Sequence, residues 1–490
     1  MDAVTLGVAK ADAKRRFVGK PPTRVAAQPL TAPNATKAAS AQDVTQRELH
    51  RFPFAVPRWR IGFRNMQMRS STIPTTPCAI TGVWVGPPAY ATTSTSGNRW
   101  VGDFAVSPTQ VCGPLTVPVD GSRVWSDWIT TAPWETNAER VLSWGMTSTN
   151  SGTGIAGGNS TQGVKRAGAS YASATTLTGQ TVGNDQVYLD VVIEYEYAES
   201  VQSGLFIGDS NTVSYMVNPP QGISNGQAGC LMCESWPALA GAMGGFAVTN
   251  LGVGSMTMAN FDPTSSSTAS VDVTYFPQLW DRIPTGAQYE FAVVSLGTNN
   301  LGGGVSTFAP QIQNIDAKIR SMGIDTIWWT TITPRCYPDG AYTSGGTPLA
   351  GYLAANAAAG ATSISVTTPL VAGTTLVGLA TTMEDVTVTS VAGSGPYTLT
   401  LSGGLVSAHY AGEPVSQSQE RQRRYLNAYL RNLPDGIAGC IDFERLVERT
   451  PQAYDCDARL VCSDYLHFHR GANIEKARAV VSAGVQPLFA

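Results

Sequence analysis

Charge is scarce in this chain. Of its 490 residues only 14% are Asp, Glu, Lys or Arg, and the net charge is −3. A balance this close to neutral gives no field for holding nucleic acid along the whole chain, and no nucleic-acid partner is expected. Long hydrophobic runs are also missing. No stretch approaches the ~20 apolar residues of a membrane-spanning helix, so no membrane span is expected. Residues 1–20 lack an apolar core with a small-residue cleavage site, so no secretory signal is expected. The chain then either stays in the cytoplasm or leaves the cell by another route, such as inside a virus particle. Histidine is rare, with only His50, His409, His467 and His469. The eight cysteines form no known framework. Cys230 and Cys233 have C-x-x-C spacing, but no second pair follows and no histidine lies near them in sequence. Neither a metal nor any other cofactor is expected. Cys456 and Cys462 could form a disulfide or remain thiols.

The charge that is present is unevenly placed. Residues 1–64 hold twelve Lys/Arg and four Asp/Glu, a net of +8, which leaves −11 for the rest. Residues 1–50 are rich in Ala, Lys, Thr, Pro and Gln without apolar periodicity. They read as a flexible basic arm able to attach the chain to a larger virion assembly. Residues 51–198 change texture to short apolar and aromatic runs between Gly, Pro, Ser and Thr. Val83–Val85, Trp100–Val106 and Val124–Ile129 are candidate strands. In Val187–Tyr197, Val187, Leu189, Val191, Ile193, Tyr195 and Tyr197 fall on one face, and Asp190, Glu194 and Glu196 on the other. That is the alternation of a half-buried strand. Many short strands with turns between them indicate a β-sandwich. Trp100, Trp125, Trp128 and Trp134 are either its core or a carbohydrate-binding face.

From residue 199 strand and helix patterns alternate. Leu205–Ile207, Phe291–Leu296, Ile324–Ile332 and Ile437–Phe443 read as strands. Phe308, Ile312, Ile315, Ile319 and Met322 mark one helix face, Tyr425 to Leu433 a second helix, and Ile474, Ala477 and Val481 a third. Such alternation implies a parallel sheet covered on both sides. Residues 352–416 interrupt it with Ala, Gly, Thr, Val and Ser. Thr362–Thr367, Glu384–Val391 and Tyr397–Leu401 read there as strands of a small inserted β module. Its texture resembles β modules of phage tail-associated proteins.

Four short blocks stand out in order. Gly208-Asp209-Ser210 ends the first strand. Asn250 to Ser255 reads Asn-Leu-Gly-Val-Gly-Ser. Gly297-Thr298-Asn299-Asn300 follows the second strand, and Asp464-Tyr465-Leu466-His467 lies near the C-terminus. Together they resemble the blocks of the SGNH hydrolases, the GDSL esterase/lipase family. The resemblance covers about residues 201–351 and 417–490. It implies an α/β, flavodoxin-like, three-layer hydrolase domain in two parts, 199–351 and 417–490. This chain has Ser255 where the family's second block carries its key glycine, and Asn300 where the third continues with Asp.

A serine hydroxyl needs an adjacent base to attack an ester. With His50 in the arm and His409 in the insertion, that base is His467 or His469. Asp464, three residues before His467, can accept its Nδ1–H and fix the tautomer. The resemblance implies oxyanion donors from the backbone N–H of Ser210, a backbone N–H at Gly254 or Ser255, and the side-chain amide of Asn299. Asp209 adjoins the nucleophile and reads as a turn residue. The expected activity is a serine ester hydrolase removing acyl groups such as acetyl from a carbohydrate. The alternatives are a lipase or thioesterase, and a catalytically silent structural or sugar-binding virion protein.

Overall fold

The computed structural model of the protein describes residues 23–37, 42–66, 76–93, 97–149, 155–160, 163–179, 181–182, 187–213, 235–264, 277–301, 305–334, 343–344, 347–348, 350–379, 381–433, 439–448, 460, 468 and 470–483. Two antiparallel sheets come first. One is built on β1 (Thr23–Pro29), β3 (Trp59–Arg64) and β6 (Asp190–Ala198), with β6 between the other two. The other centres on β2 (Gln42–Arg51), β4 (Cys78–Gly86) and β5 (Glu139–Ser148), with β5 in the middle. Ile61, Phe63, Val191, Ile193 and Tyr195 of the first sheet share one core with Val44, Val83, Leu142 and Trp144 of the second.

The expected flexible arm over residues 1–50 is corrected from Thr23 onward, because β1 and β2 are strands of this sandwich. Their polar composition hid them. Buried partners satisfy those polar groups: Thr45 donates to the Gly168 carbonyl (2.7 Å), and Arg47 donates to Ser143 Oγ (3.2 Å) and the Gly102 carbonyl (2.6 Å). Residues 1–22 lie outside the described residues. The expected strand Val187–Tyr197 is broken at Leu189, whose φ of 66° cannot continue a pleated strand. Beyond the break the alternation holds, yet both faces of β6 are buried. The acidic face is covered because Asp190, Glu194 and Glu196 each pair with an arginine, Arg64, Arg60 and Arg58. Trp134 is core, whereas Trp125 and Trp128 are only half-buried.

A parallel sheet follows, ordered β8-β7-β9-β10-β11 among the described residues. Its strands are β7 (Ser203–Gly208), β8 (Ala247–Asn250), β9 (Phe291–Ser295), β10 (Thr326–Thr330) and β11 (Gly439–Ile441). Alternate residues point to opposite faces. Leu205, Ile207, Ala292 and Val294 pack with Phe308, Ile312, Ile315 and Ile319 of α2 (Val305–Ser321) and Leu426 and Leu430 of α3 (Ser418–Arg431). Phe206, Phe291 and Val293 pack with Trp236, Leu239 and Ala240 of α1 (Trp236–Gly244) and Ala477 and Val480 of α4 (Arg470–Ser482). Sequence periodicity misses α1, which is rich in Ala and Gly. Its punctuation marks it instead: Ser235 Oγ accepts from Ala238 N–H (3.3 Å), Pro237 sits in the first turn, and Gly245 closes it at φ 68°.

Between β10 and α3 a six-stranded antiparallel sheet forms over residues 350–417. Ser363–Val366, Glu384–Ala392 and Tyr397–Leu401 are joined there by Gly373–Val377, Ala350–Tyr352 and Pro414–Gln417, which the sequence reading does not mark as strands. No helix among the described residues is long and apolar enough to cross a membrane.

Candidate active site

Beyond β7 the chain turns tightly. The Asp209 carbonyl accepts from the N–H of Thr212 (3.0 Å) and Val213 (3.2 Å), and the Asp209 carboxylate accepts from Asn211 N–H (2.9 Å). Asp209 thus orders the turn, and Ser210 sits within it at 8% exposure. Glycine is required at 208. A Cβ there would lie 1.9 Å from Thr212 Oγ1 and 2.9 Å from the Ser295 carbonyl.

Parallel pairing brings two further blocks to the same edge. Phe206 lies opposite Asn250 and Gly208 opposite Ser295, so β7, β8 and β9 all deliver their following loops to the carboxyl edge of the sheet. Ligand crevices of open α/β sheets form at that edge. Gly254 and Ser255 come just after β8, and Asn299 just after β9. Hydrogen bonds tie these loops together. Val253 N–H donates to the Gly208 carbonyl (3.1 Å), and Asn250 Nδ2 donates to the Thr212 carbonyl (3.1 Å). Asn299 Nδ2 donates to the Met256 carbonyl (2.9 Å), and Met258 N–H to Asn300 Oδ1 (2.9 Å). Asn300 stands where the resembling family has Asp, and its oxygen accepts a backbone N–H as a carboxylate oxygen would.

Residues 253–256 close a turn through Met256 N–H on the Val253 carbonyl (3.3 Å). Its third position, Ser255, is exposed with φ 64°. Turns with a positive φ at that position favour glycine. Ser255 adopts that left-handed conformation without being glycine. Gly254 is buried. Gly297 precedes the short helical turn Thr298–Asn300 with φ 133°, and a Cβ on it would lie 2.3 Å from Ile332 Cδ1.

The fourth block is different. Asp464, His467 and His469 lie outside the described residues. Next to His467, Phe468 is 2% exposed, packs with Val447 and Ala472, and has Lys476 Nζ 3.8 Å from its ring centre. The other histidines are structural. His50 is buried in β2, and His409 in the inserted sheet sits between Glu413 (2.7 Å) and Glu384 (2.9 Å). Sequence reasoning treats His409 as a turn or strand-end residue, and those two carboxylate contacts could not be read from spacing alone. It also gives Asn250 no role, although Asn250 opens the second block and its amide links that loop to the serine turn. Among the described residues no group of three or more His, Cys, Asp or Glu side chains could hold a metal ion. Cys230, Cys233, Cys456 and Cys462 lie outside them, and Cys78, Cys112 and Cys440 are free thiols.

No known protein-family model matches the chain, and no curated protein sequence does. Solved structures similar to it include a carbohydrate esterase family 2 enzyme plus carbohydrate binding domain from Corynascus thermopiles (Myceliophthora fergusii). That match has 10% identity, 93% of this chain and 98% of that one covered, and a TM-score of 0.32. A family two carbohydrate esterase from Cellvibrio japonicus matches at 11% identity, with 66% and 81% covered and a TM-score of 0.23. The salicylyl-acyltransferase SsfX3 from a tetracycline biosynthetic pathway matches at 10% identity, with 91% and 83% covered and a TM-score of 0.29.

Proposed function

We propose that the chain is a serine ester hydrolase of the SGNH type, acting on acylated carbohydrate. The observation that carries this reading is the hydrogen-bonded meeting of the Ser210, Gly254–Ser255 and Asn299 loops at the ends of three adjacent parallel strands. In the proposed reaction Ser210 Oγ attacks the ester carbonyl as His467, oriented by Asp464, takes the hydroxyl proton. The oxyanion is held by the backbone N–H of Ser210, a backbone N–H of the 254–255 turn and the Asn299 amide. Collapse of the intermediate releases the alcohol, which leaves with the proton from His467. Water then hydrolyses the acyl-serine by the same route in reverse.

We favour carbohydrate over lipid because of the extra β domains, the first of which, the sandwich, is fixed to the parallel sheet. Tyr195 OH donates to the Val248 carbonyl (3.2 Å), Ala27 N–H to Thr249 Oγ1 (3.3 Å), and Arg24 pairs with Glu290.

Ser210→Ala should reduce hydrolysis of a chromogenic acetate ester by about 10⁴-fold or more. Its stability should change by about 1 kcal/mol or less. Substantial activity in that variant would remove Ser210 from its role. An inactive wild-type chain would favour a silent binding protein, and faster turnover of octanoate than acetate esters would favour a lipase or thioesterase.

A further inference from the structure

A cavity of about 420 Å³ opens where the sandwich meets the segment leading into β9. Arg60, Arg64, Glu194 and Trp125 line it from the first sheet, Arg123 and Trp128 from the segments flanking Trp125, and Asp281 and Ile283 to Thr285 from the parallel-sheet side. A cavity of this size falls within the range of small-ligand sites.

Its polar wall is built rather than incidental. Behind it Asp190, fully buried, accepts from Arg64 Nε (2.6 Å) and Arg282 Nη2 (2.6 Å) and pairs with Arg123. Arg60 is bound to Glu194. Four guanidiniums, those of Arg60, Arg64, Arg123 and Arg282, therefore meet three carboxylates, Asp190, Glu194 and Asp281. Among the described ion pairs of this wall one positive charge is left over. The aromatic wall is fixed by the same arginines. The Arg60 guanidinium lies 4.5 Å from the Trp125 ring centre and 5.1 Å from that of Trp128, and Arg58 lies 4.8 Å from Trp128.

The cavity's parallel-sheet wall leads into the amino end of β9, opposite the end that carries the Asn299 loop. Residues 281–285 precede β9 and Asn299 follows it, so the length of the strand, about 13 Å, lies between them. Half-buried indoles beside arginines with an excess of one positive charge suit a ring with an apolar face and one anionic group. Arginine's planar fork matches the two oxygens of a carboxylate, as it does those of a phosphate.

We infer that this cavity is a second, non-catalytic binding site for a sugar residue bearing a carboxylate. It would hold a uronate unit of a polymer away from the catalytic edge. The inference does not depend on the esterase reading, because binding is measured directly.

The test is calorimetric titration of the full chain with tetragalacturonate, with xylotetraose and sodium sulfate as comparison arms. Tetragalacturonate should bind, and xylotetraose should bind at least tenfold more weakly. Trp128→Ala and Arg60→Gln, each checked for fold by circular dichroism, should each weaken tetragalacturonate at least tenfold. Both should keep wild-type turnover of a small acetate ester. Equal binding of xylotetraose would remove the charge from the argument. Displacement of tetragalacturonate by equimolar sulfate would reduce the cavity to a general anion hole. No binding to the wild type, or undiminished binding to both folded variants, would overturn the assignment outright.

Discussion

The Asn299 amide nitrogen carries two hydrogens, and one of them is committed to the Met256 carbonyl. That bond fixes the amide plane and leaves the second N–H at a set angle, as the proposed oxyanion role requires. Asn299→Ala should therefore lower kcat on an acetate ester by about 10²–10³-fold with little change in KM. An equal rise in KM with kcat unchanged would mean that the amide binds ground state and transition state alike. Ser210 and Asn299 stand out in the sequence because each closes an apolar run. Ser255 did not declare its backbone. Its left-handed φ comes from the turn that Val253 and Met256 close, and neither serine nor its neighbours encode that conformation alone.

At the scale of elements, β2 shows how a strand escapes a sequence reading. Its buried side chains include Gln46, Arg47, Glu48 and His50, so no apolar alternation exists to detect. His50 is the sharpest case. Burial, and then Arg51, hold its imidazole down to about 3, and among the described residues neither ring nitrogen has a partner. The folded chain keeps His50 neutral, while the unfolded chain takes up a proton below about pH 6.5. The stability this residue permits is complete above that pH. It is lost at about 1.4 kcal/mol per pH unit as the pH falls toward 3. Urea unfolding at a series of pH values should show this slope, and His50→Leu should reduce it by one proton's worth. An unchanged slope in the folded variant would assign the acid sensitivity to other groups.

At the scale of the molecule, Asp190 joins the two units. It lies in the sandwich and accepts from Arg282, which enters from the parallel-sheet side and also donates to the Thr31 carbonyl (2.8 Å). Burial opposes its charge, but Arg123, Arg282 and Arg64 outweigh burial and hold its carboxyl well below the usual range. Its contribution is present above about pH 4 and is lost as the pH falls through the lower folded value. Asp190→Asn keeps the shape and removes the charge facing three buried guanidiniums. The expected loss is about 3–5 kcal/mol. Scanning calorimetry should then show the sandwich melting ahead of the parallel-sheet unit. A variant that melts in one transition at the wild-type temperature would show that the junction rests on its apolar contacts.

What the sequence by itself determined was local in cause. Strand and helix alternation after residue 199 follows from side-chain period, and the parallel sheet with its α2, α3 and α4 helices lies where that period places it. The serine turn and the Asn299 turn are legible because each follows an apolar run that stops at a glycine, Gly208 or Gly297, in a block that resembles a known family's. Tertiary structure decided the rest. The polar strand β2 holds because distant carbonyls and hydroxyls satisfy its buried groups. The acidic face of β6 is covered only because arginines far away in sequence reach it. The meeting of Ser210, the 254–255 turn and Asn299 depends on the parallel register of three strands. Register is a long-range pairing of backbone hydrogen bonds, and no single segment of the chain carries it.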